Sequence, residues 1–180
     1  MPNLRIAGAT LNQTPLDWEG NTARVLEAIR TAKDRAVDIL CFQELCITGY
    51  GCEDLHLSDW LSDRAWVALE QIVQSCASEM VVCIGLPIRM DGYTYNGACV
   101  IQQQKILGIT LKQNLARDGV HYEPRWFEPW PGAAVREITR GTRKFPVGDL
   151  IYECKGIRFG FEICEDAWRM ERPGSRLHER

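Results

Sequence analysis

Two near-continuous apolar runs, VDILCFQEL (37–45) and MVVCIGLPI (80–88), constrain this chain more than any other feature. A strand that is wet on one side alternates apolar and polar residues, so a run without alternation belongs in a sheet covered on both faces. The stretches before the two runs can supply the cover. Val25, Ile29, Ala32 and Ala36, from a start at Asn21, recur at three- and four-residue steps, as do Leu61, Ala65, Leu69, Ile72 and Cys76. Each set lines one face of an amphipathic helix. With a β-rich segment at 4–11, the first half reads β-α-β-α-β.

Asp91-Gly92 is a turn signal that separates the second run from NGACVIQQQ (96–104), and ILGITL (106–111) follows, so 80–111 reads as a three-stranded meander. From 112 to 130 periodicity disappears while Trp, Tyr, Pro and charges accumulate, which marks a long ordered loop or functional surface. A turn-rich stretch runs to Gly148. LIYECKG and IRFGFEIC then read as a hairpin, and EDAW opens a short helix. The order βαβαβββ…ββ places the chain in the α/β class with a mixed sheet, in one domain or most of one.

With 46% hydrophobic and 25% charged residues, the composition is that of an ordinary globular domain. A formal charge of -3 offers no basic field for nucleic acid or anionic lipid, so a small neutral or zwitterionic substrate fits better. No apolar run approaches the ~20 residues that span a bilayer, and MPNLRIAGATL lacks a signal-peptide apolar core. The expectation is a cytoplasmic protein without membrane partners. The eight cysteines mostly sit in apolar runs, without C-x2-C spacing, and His56, His121 and His178 form no ligand pair. Reduced thiols without structural disulfides, and no metal, are expected.

Three reactive side chains share one design. Glu44, Lys112 and Cys164 each follow an apolar strand at its C-terminal end, where open α/β sheets place their sites. Together they can perform acyl transfer: the thiol attacks a carbonyl carbon, the carboxylate takes and returns the proton, and the ammonium holds the oxyanion. Glu165 and Asp166 directly follow Cys164, and their charge favours a resting thiol over a thiolate. The backbone N–H of Glu165 is suited to share the oxyanion with Lys112. Tyr50, Tyr122, Trp126 and Phe127 either line a pocket or pack in the core; the sequence leaves both open. G-x-S-x-G is missing, and a Cys164–His121 pair leaves Glu44 and Lys112 unexplained.

FQELCITGYGCEDL, LKQNLARDGVHYEPRWFEPW and GFEICEDAW resemble the three catalytic segments of the nitrilase superfamily, the carbon–nitrogen hydrolases. Within it they are similar to the glutaminase domain of glutamine-dependent NAD synthetases. The resemblance implies an α-β-β-α sandwich with Glu44 as general base, Lys112 as oxyanion lysine and Cys164 as nucleophile. Glu123 matches an additional carboxylate that orients lysine and substrate, and Tyr122 beside it is a supporting candidate. It also implies hydrolysis of glutamine through a γ-glutamyl thioester, with ammonia passed to a separate synthetase domain. The amidase step needs no cofactor; ATP and magnesium belong to that synthetase domain, which these residues do not include. The complete protein is expected to be a homo-oligomer.

Two departures stand out. Leu111 occupies a position that is commonly proline, which implies looser placement of Lys112. The chain also reaches Arg180 soon after Cys164, so residues 1–180 read as the N-terminal part of a C-terminally truncated domain. A stand-alone amidase acting on another small amide, and a catalytically silent fragment, are the competing readings.

Overall fold

The computed structural model describes residues 3–179; Met1, Pro2 and Arg180, and with them the outer limits of the expected 1–180 domain, lie outside the described residues. The first half is built from β1 (Ile6–Ala9), α1 (Trp18–Asp34), β2 (Ile39–Phe42), a 3₁₀ segment (Tyr50–Leu57), α2 (Asp59–Ser75) and β3 (Val81–Met90). Helix α1 starts ahead of its periodic stripe because Asp17 caps it, its Oδ1 accepting from Gly20 N–H at 3.0 Å. Ala36, which the periodicity included, lies past the helix end with φ 51°. Strands β1, β2 and β3 pair in parallel, and the helices are their crossovers.

The meander forms as the sequence implies: β3, β4 (Tyr93–Gln102) and β5 (Lys105–Leu111) pair antiparallel in succession. Asp91 and Gly92 take φ 51° and 84°, the left-handed pair of a two-residue hairpin turn. The turn-rich stretch after 130 conceals a hairpin, β6 (Val135–Arg140) with β7 (Arg143–Gly148). Strand β7 joins β5 in parallel, which completes a mixed seven-stranded sheet in the order β1-β2-β3-β4-β5-β7-β6. The sequence hid this hairpin because it is the sheet's edge. Val135, Arg136, Glu137 and Thr139 are exposed, so no apolar run was needed.

Neighbouring residues of one strand serve different cores. Val82, Ile84 and Leu86 pack with Val25, Ile29, Leu69 and Ile72 of the helices. Val81 and Cys83, on the opposite face, pack with Ile39, Leu150, Tyr152 and Cys154. That second layer carries β8 (Tyr152–Cys154) and β9 (Ile157–Phe159), a two-stranded antiparallel sheet, with Phe159 stacked on Tyr152 and Phe161 edge-on to it. The layering is that of an α/β sandwich in which the second sheet, among the described residues, consists of these two strands. The expected hairpin is shorter than its sequence. Strand β9 ends at Phe159, so Cys164 does not close a strand, and the Ile163 N–H goes to the Asp166 carboxylate instead of a neighbouring strand. No helix among the described residues is long and apolar enough to cross a membrane.

Candidate active site

Strand β5 runs in the same direction as β2 and β3, so residues following β2 and β5 emerge at one end of the sheet. Glu44 sits two residues past β2 in a turn whose neighbours are tied down. The Gln43 amide donates to Leu11 C=O at 2.6 Å and accepts from Leu11 N–H at 3.1 Å, and Ile47 N–H donates to Gly85 C=O at 3.1 Å. Gly85 lets this turn lie flat on β3. A Cβ there would stand 2.5 Å from Leu45 N, 2.7 Å from Gln43 O and 2.9 Å from the Glu44 carbonyl carbon, all backbone atoms. Gly85→Ala is therefore expected to displace the Glu44 turn and destabilise the fold by about 1–3 kcal/mol, the usual cost of overpacking. A urea-denaturation midpoint equal to that of the parent would contradict the close approach.

Lys112 is the centre of the site. Only 1% exposed, it donates to Glu44 Oε1 at 2.6 Å and to Glu123 Oε1 at 2.8 Å. Glu123 opens the four-residue helix α3 (Glu123–Trp126) and is fully buried. Its Oε1 also accepts from Tyr50 O–H at 3.0 Å and its Oε2 from Ala116 N–H at 2.7 Å. Burial opposes the lysine's charge, but Glu44 and the hydrogen bonds to both carboxylates prevail and hold its pKa above the ordinary value. Burial raises the Glu44 pKa despite Lys112, with the Glu123 charge adding to the rise and an Asn96 hydrogen bond opposing it. Leu111, in the position where proline was the expected residue, leaves the lysine well placed. The Lys112 N–H donates to Asn96 C=O at 2.9 Å and the Lys112 C=O accepts from Trp130 N–H at 2.9 Å, so ladder contacts replace the missing ring constraint.

Cys164 begins a 3₁₀ turn (Cys164–Trp168) and has φ 49°, a left-handed conformation that costs a non-glycine residue about 1–2 kcal/mol. All eight cysteines are free thiols, six buried and Cys41 partly so; Cys164 is the exposed one. It borders a cavity of about 130 Å3 with Glu44, Gly85 and Asn96. Burial, then the charges of Glu44 and Glu123, raise its pKa against the pull of Lys112 and a hydrogen bond from the Glu165 backbone N–H. The resting thiol expected from the sequence therefore has a different origin: the opposing charges come from across the fold.

Asp166 has a task the sequence did not reveal. Buried, it turns away from the thiol; its Oδ2 accepts from Ile163 N–H at 3.1 Å and its Oδ1 from Asn114 N–H at 2.7 Å, Asn114 Nδ2 at 2.9 Å and Gln113 N–H at 3.2 Å. One carboxylate thus clamps the strained Cys164 turn to the residues that follow Lys112. Glu165 pairs with Arg169 at 2.8 Å.

Of the expected supporting residues, Glu123 joins the cluster and Tyr122 does not. Tyr122 is 61% exposed, whereas Tyr50, distant in sequence, reaches Glu123. His121 Nδ1 lies 3.2 Å from Tyr50 Oη, the one hydrogen-bond contact of its side chain among the described residues, and so lends no support to a Cys164–His121 pair. Phe127 packs with Leu45 and Leu115, and Trp126 donates to Asp54 at 2.9 Å. No group of three or more His, Cys, Asp or Glu side chains suited to a metal occurs among the described residues.

The family profile described as carbon-nitrogen hydrolase matches residues 5–172. A crystal structure of a glutamine-dependent NAD(+) synthetase from Cytophaga hutchinsonii is 48% identical, with a TM-score of 0.87 over 90% of this chain and 28% of that one. A glutamine-dependent NAD(+) synthetase of Drosophila melanogaster is 33% identical over 175 residues, 92% of this chain and 22% of that protein. An amidase from Nesterenkonia sp., 18% identical with a TM-score of 0.64 over 79% of this chain and 54% of that one, shares the fold. The chain spans about a quarter of the length of the curated relatives it matches.

Proposed function

Because the chain belongs to the carbon–nitrogen hydrolase family, we propose that it carries the catalytic residues of a cysteine-dependent glutamine amidohydrolase supplying ammonia for NAD synthesis. Its 180 residues correspond to the N-terminal part of that glutaminase domain, and ATP and magnesium serve a synthetase domain beyond them. The observation that carries the reading is the buried Lys112 ammonium gripped by Glu44 and Glu123 beside the exposed thiol of Cys164.

In this mechanism Cys164 Sγ attacks the side-chain carbonyl carbon of glutamine while Glu44 takes the thiol proton. The Lys112 ammonium and the Glu165 N–H stabilise the oxyanion of the tetrahedral intermediate. Its collapse breaks the C–N bond; Glu44 returns the proton to the nitrogen, and ammonia leaves behind a γ-glutamyl thioester. Water, deprotonated by Glu44, attacks the thioester, and glutamate departs as Cys164 recovers its proton.

An electrophilic glutamine analogue is expected to alkylate Cys164 in the folded protein in preference to the other seven cysteines, and to lose that preference on denaturation. Peptide mass spectrometry reads the outcome. Cys41, partly exposed but with its pKa raised by burial, is the internal control. Preferential labelling of Cys41 or Cys154 would sink the assignment.

A further inference from the structure

We infer that Asn96 is a positioning residue that fixes which oxygen of Glu44 faces the reacting thiol. The inference rests on the reading of Glu44 as general base and adds to it a residue that lies outside the three catalytic segments.

Asn96 lies in β4, opposite Pro87 of β3, at the end of the sheet where Glu44 and Lys112 emerge. Its side-chain Nδ2 donates to Glu44 Oε1 at 2.6 Å, and its backbone C=O accepts from Lys112 N–H at 2.9 Å. One residue therefore ties the carboxylate through its side chain and the lysine through its main chain. Glu44 Oε1 accepts from both Asn96 and Lys112 Nζ, whereas Oε2 has no hydrogen bond among the described residues. Two donors on one oxygen fix the plane of the carboxylate and leave Oε2 with its lone pairs free. A single donor would let the group rotate about the Lys112 contact.

The other half of the Asn96 amide argues against a packing role. Oδ1 is buried without a hydrogen-bond partner. An orphaned buried acceptor is a cost that an apolar residue of the same shape would avoid. The amide cannot be rotated to relieve it, because its oxygen would then face the carboxylate. What the side chain contributes here is its N–H, directed at Glu44.

The charged and titratable groups around Glu44 are Lys112 after β5, Glu123 in α3, Cys164 in its 3₁₀ turn, and Tyr50. Of the neutral neighbours, Asn96 donates to it. Removing that donor is expected to make Glu44 harder to ionise, in the same sense as the opposing effect Asn96 exerts on its pKa.

The test uses the protein labelled with carbon-13 at the glutamate side-chain carboxyl, with Glu44→Gln identifying the Glu44 resonance. Asn96→Leu is expected to raise the Glu44 titration midpoint by about one pH unit. Asn96→Asp, which keeps the shape but adds a third carboxylate to the Glu44–Glu123 cluster, should raise it further. In the full-length enzyme the same variants should lower kcat for glutamine hydrolysis by tenfold or more and change KM much less, since the Asn96 N–H is engaged by Glu44. An unchanged Glu44 midpoint in a folded Asn96→Leu or Asn96→Asp protein overturns the inference, as does an unchanged kcat. If the midpoint moves but the parent enzyme releases no ammonia from glutamine, Asn96 still positions Glu44 and it is the proposed glutaminase function that fails.

Discussion

Lys112→Met will destabilise the fold as well as disable the site, and the loss of stability is the more diagnostic effect. The parent cluster holds two carboxylates around one ammonium, with the Glu123 and Lys112 side chains fully inaccessible and Glu44 partly buried, its side chain 16% exposed. Methionine fills much of the lysine's volume but leaves both carboxylates facing a thioether. Removing one partner of a buried ionic group typically costs about 3–5 kcal/mol, because the remaining charge has lost its compensation. Glu123 retains Tyr50 O–H and Ala116 N–H, and Glu44 retains Asn96, so the lower end of that range is expected. Lys112→Met/Glu123→Gln should recover part of the stability by removing one stranded charge, with no recovery of thioester formation. The missing oxyanion donor is itself worth roughly 3 kcal/mol, about a hundredfold in rate. Urea denaturation and single-turnover acylation in a protein carrying the complete domain separate the two effects. A parental denaturation midpoint for Lys112→Met would mean that the carboxylates are neutral at rest, and the charge arrangement argued above would be wrong.

That cluster also marks how far the sequence could be read. A charge that ends an apolar run must leave the sheet, so Glu44 and Lys112 were legible as residues at a common sheet end, and the parallel strands bring them there. The helices and central strands were legible for a related reason: Val82 and Ile84 serve one core, Val81 and Cys83 the other, and burial on both faces writes an unbroken apolar word. What escaped is set by contacts across long stretches of chain. Asn96 meets Glu44 from 52 residues away, Tyr50 meets Glu123 from 73, and Asp166 grips Asn114 from 52. Tyr122 and Tyr50 were both candidates to line a pocket, but Tyr122 is exposed and it is Tyr50 that reaches Glu123. The left-handed turn at Cys164 was equally hidden. A strand running straight to the nucleophile fits the apolar pattern of 157–164, and it is the buried Asp166 carboxylate, taking the Ile163 N–H, that bends the backbone away. A sequence clue existed in an acid two residues past the thiol, but it reads as a repelling charge until its partners are seen.

Glu44→Gln should leave the protein folded and reduce acylation of Cys164 by about 10²–10⁴-fold, the usual worth of a general base. Folding survives because glutamine can present its carbonyl oxygen to Lys112 and Asn96, as Glu44 Oε1 does at 2.6 Å from each, while Lys112 keeps its 2.8 Å pairing with Glu123. That orientation turns the amide nitrogen into the place of Oε2, where it has no lone pair to accept the thiol proton. The pH dependence provides a second signature. Burial raises the Glu44 pKa above that of an ordinary glutamate, and the base works only when ionised, so the parent rate should fall as pH drops through that raised value. The acid limb will therefore lie above the ~4.3 of an unperturbed glutamate, and Glu44→Gln should lack it. Thioester formation followed by mass spectrometry across pH gives rate and profile together. Acylation at the parental rate by Glu44→Gln, with the acid limb intact, would make Glu44 structural and turn attention to Glu123. Both Glu123 oxygens already accept hydrogen bonds, from Lys112 and Tyr50 at one and Ala116 at the other, so it would have to give up a partner before it could receive a proton.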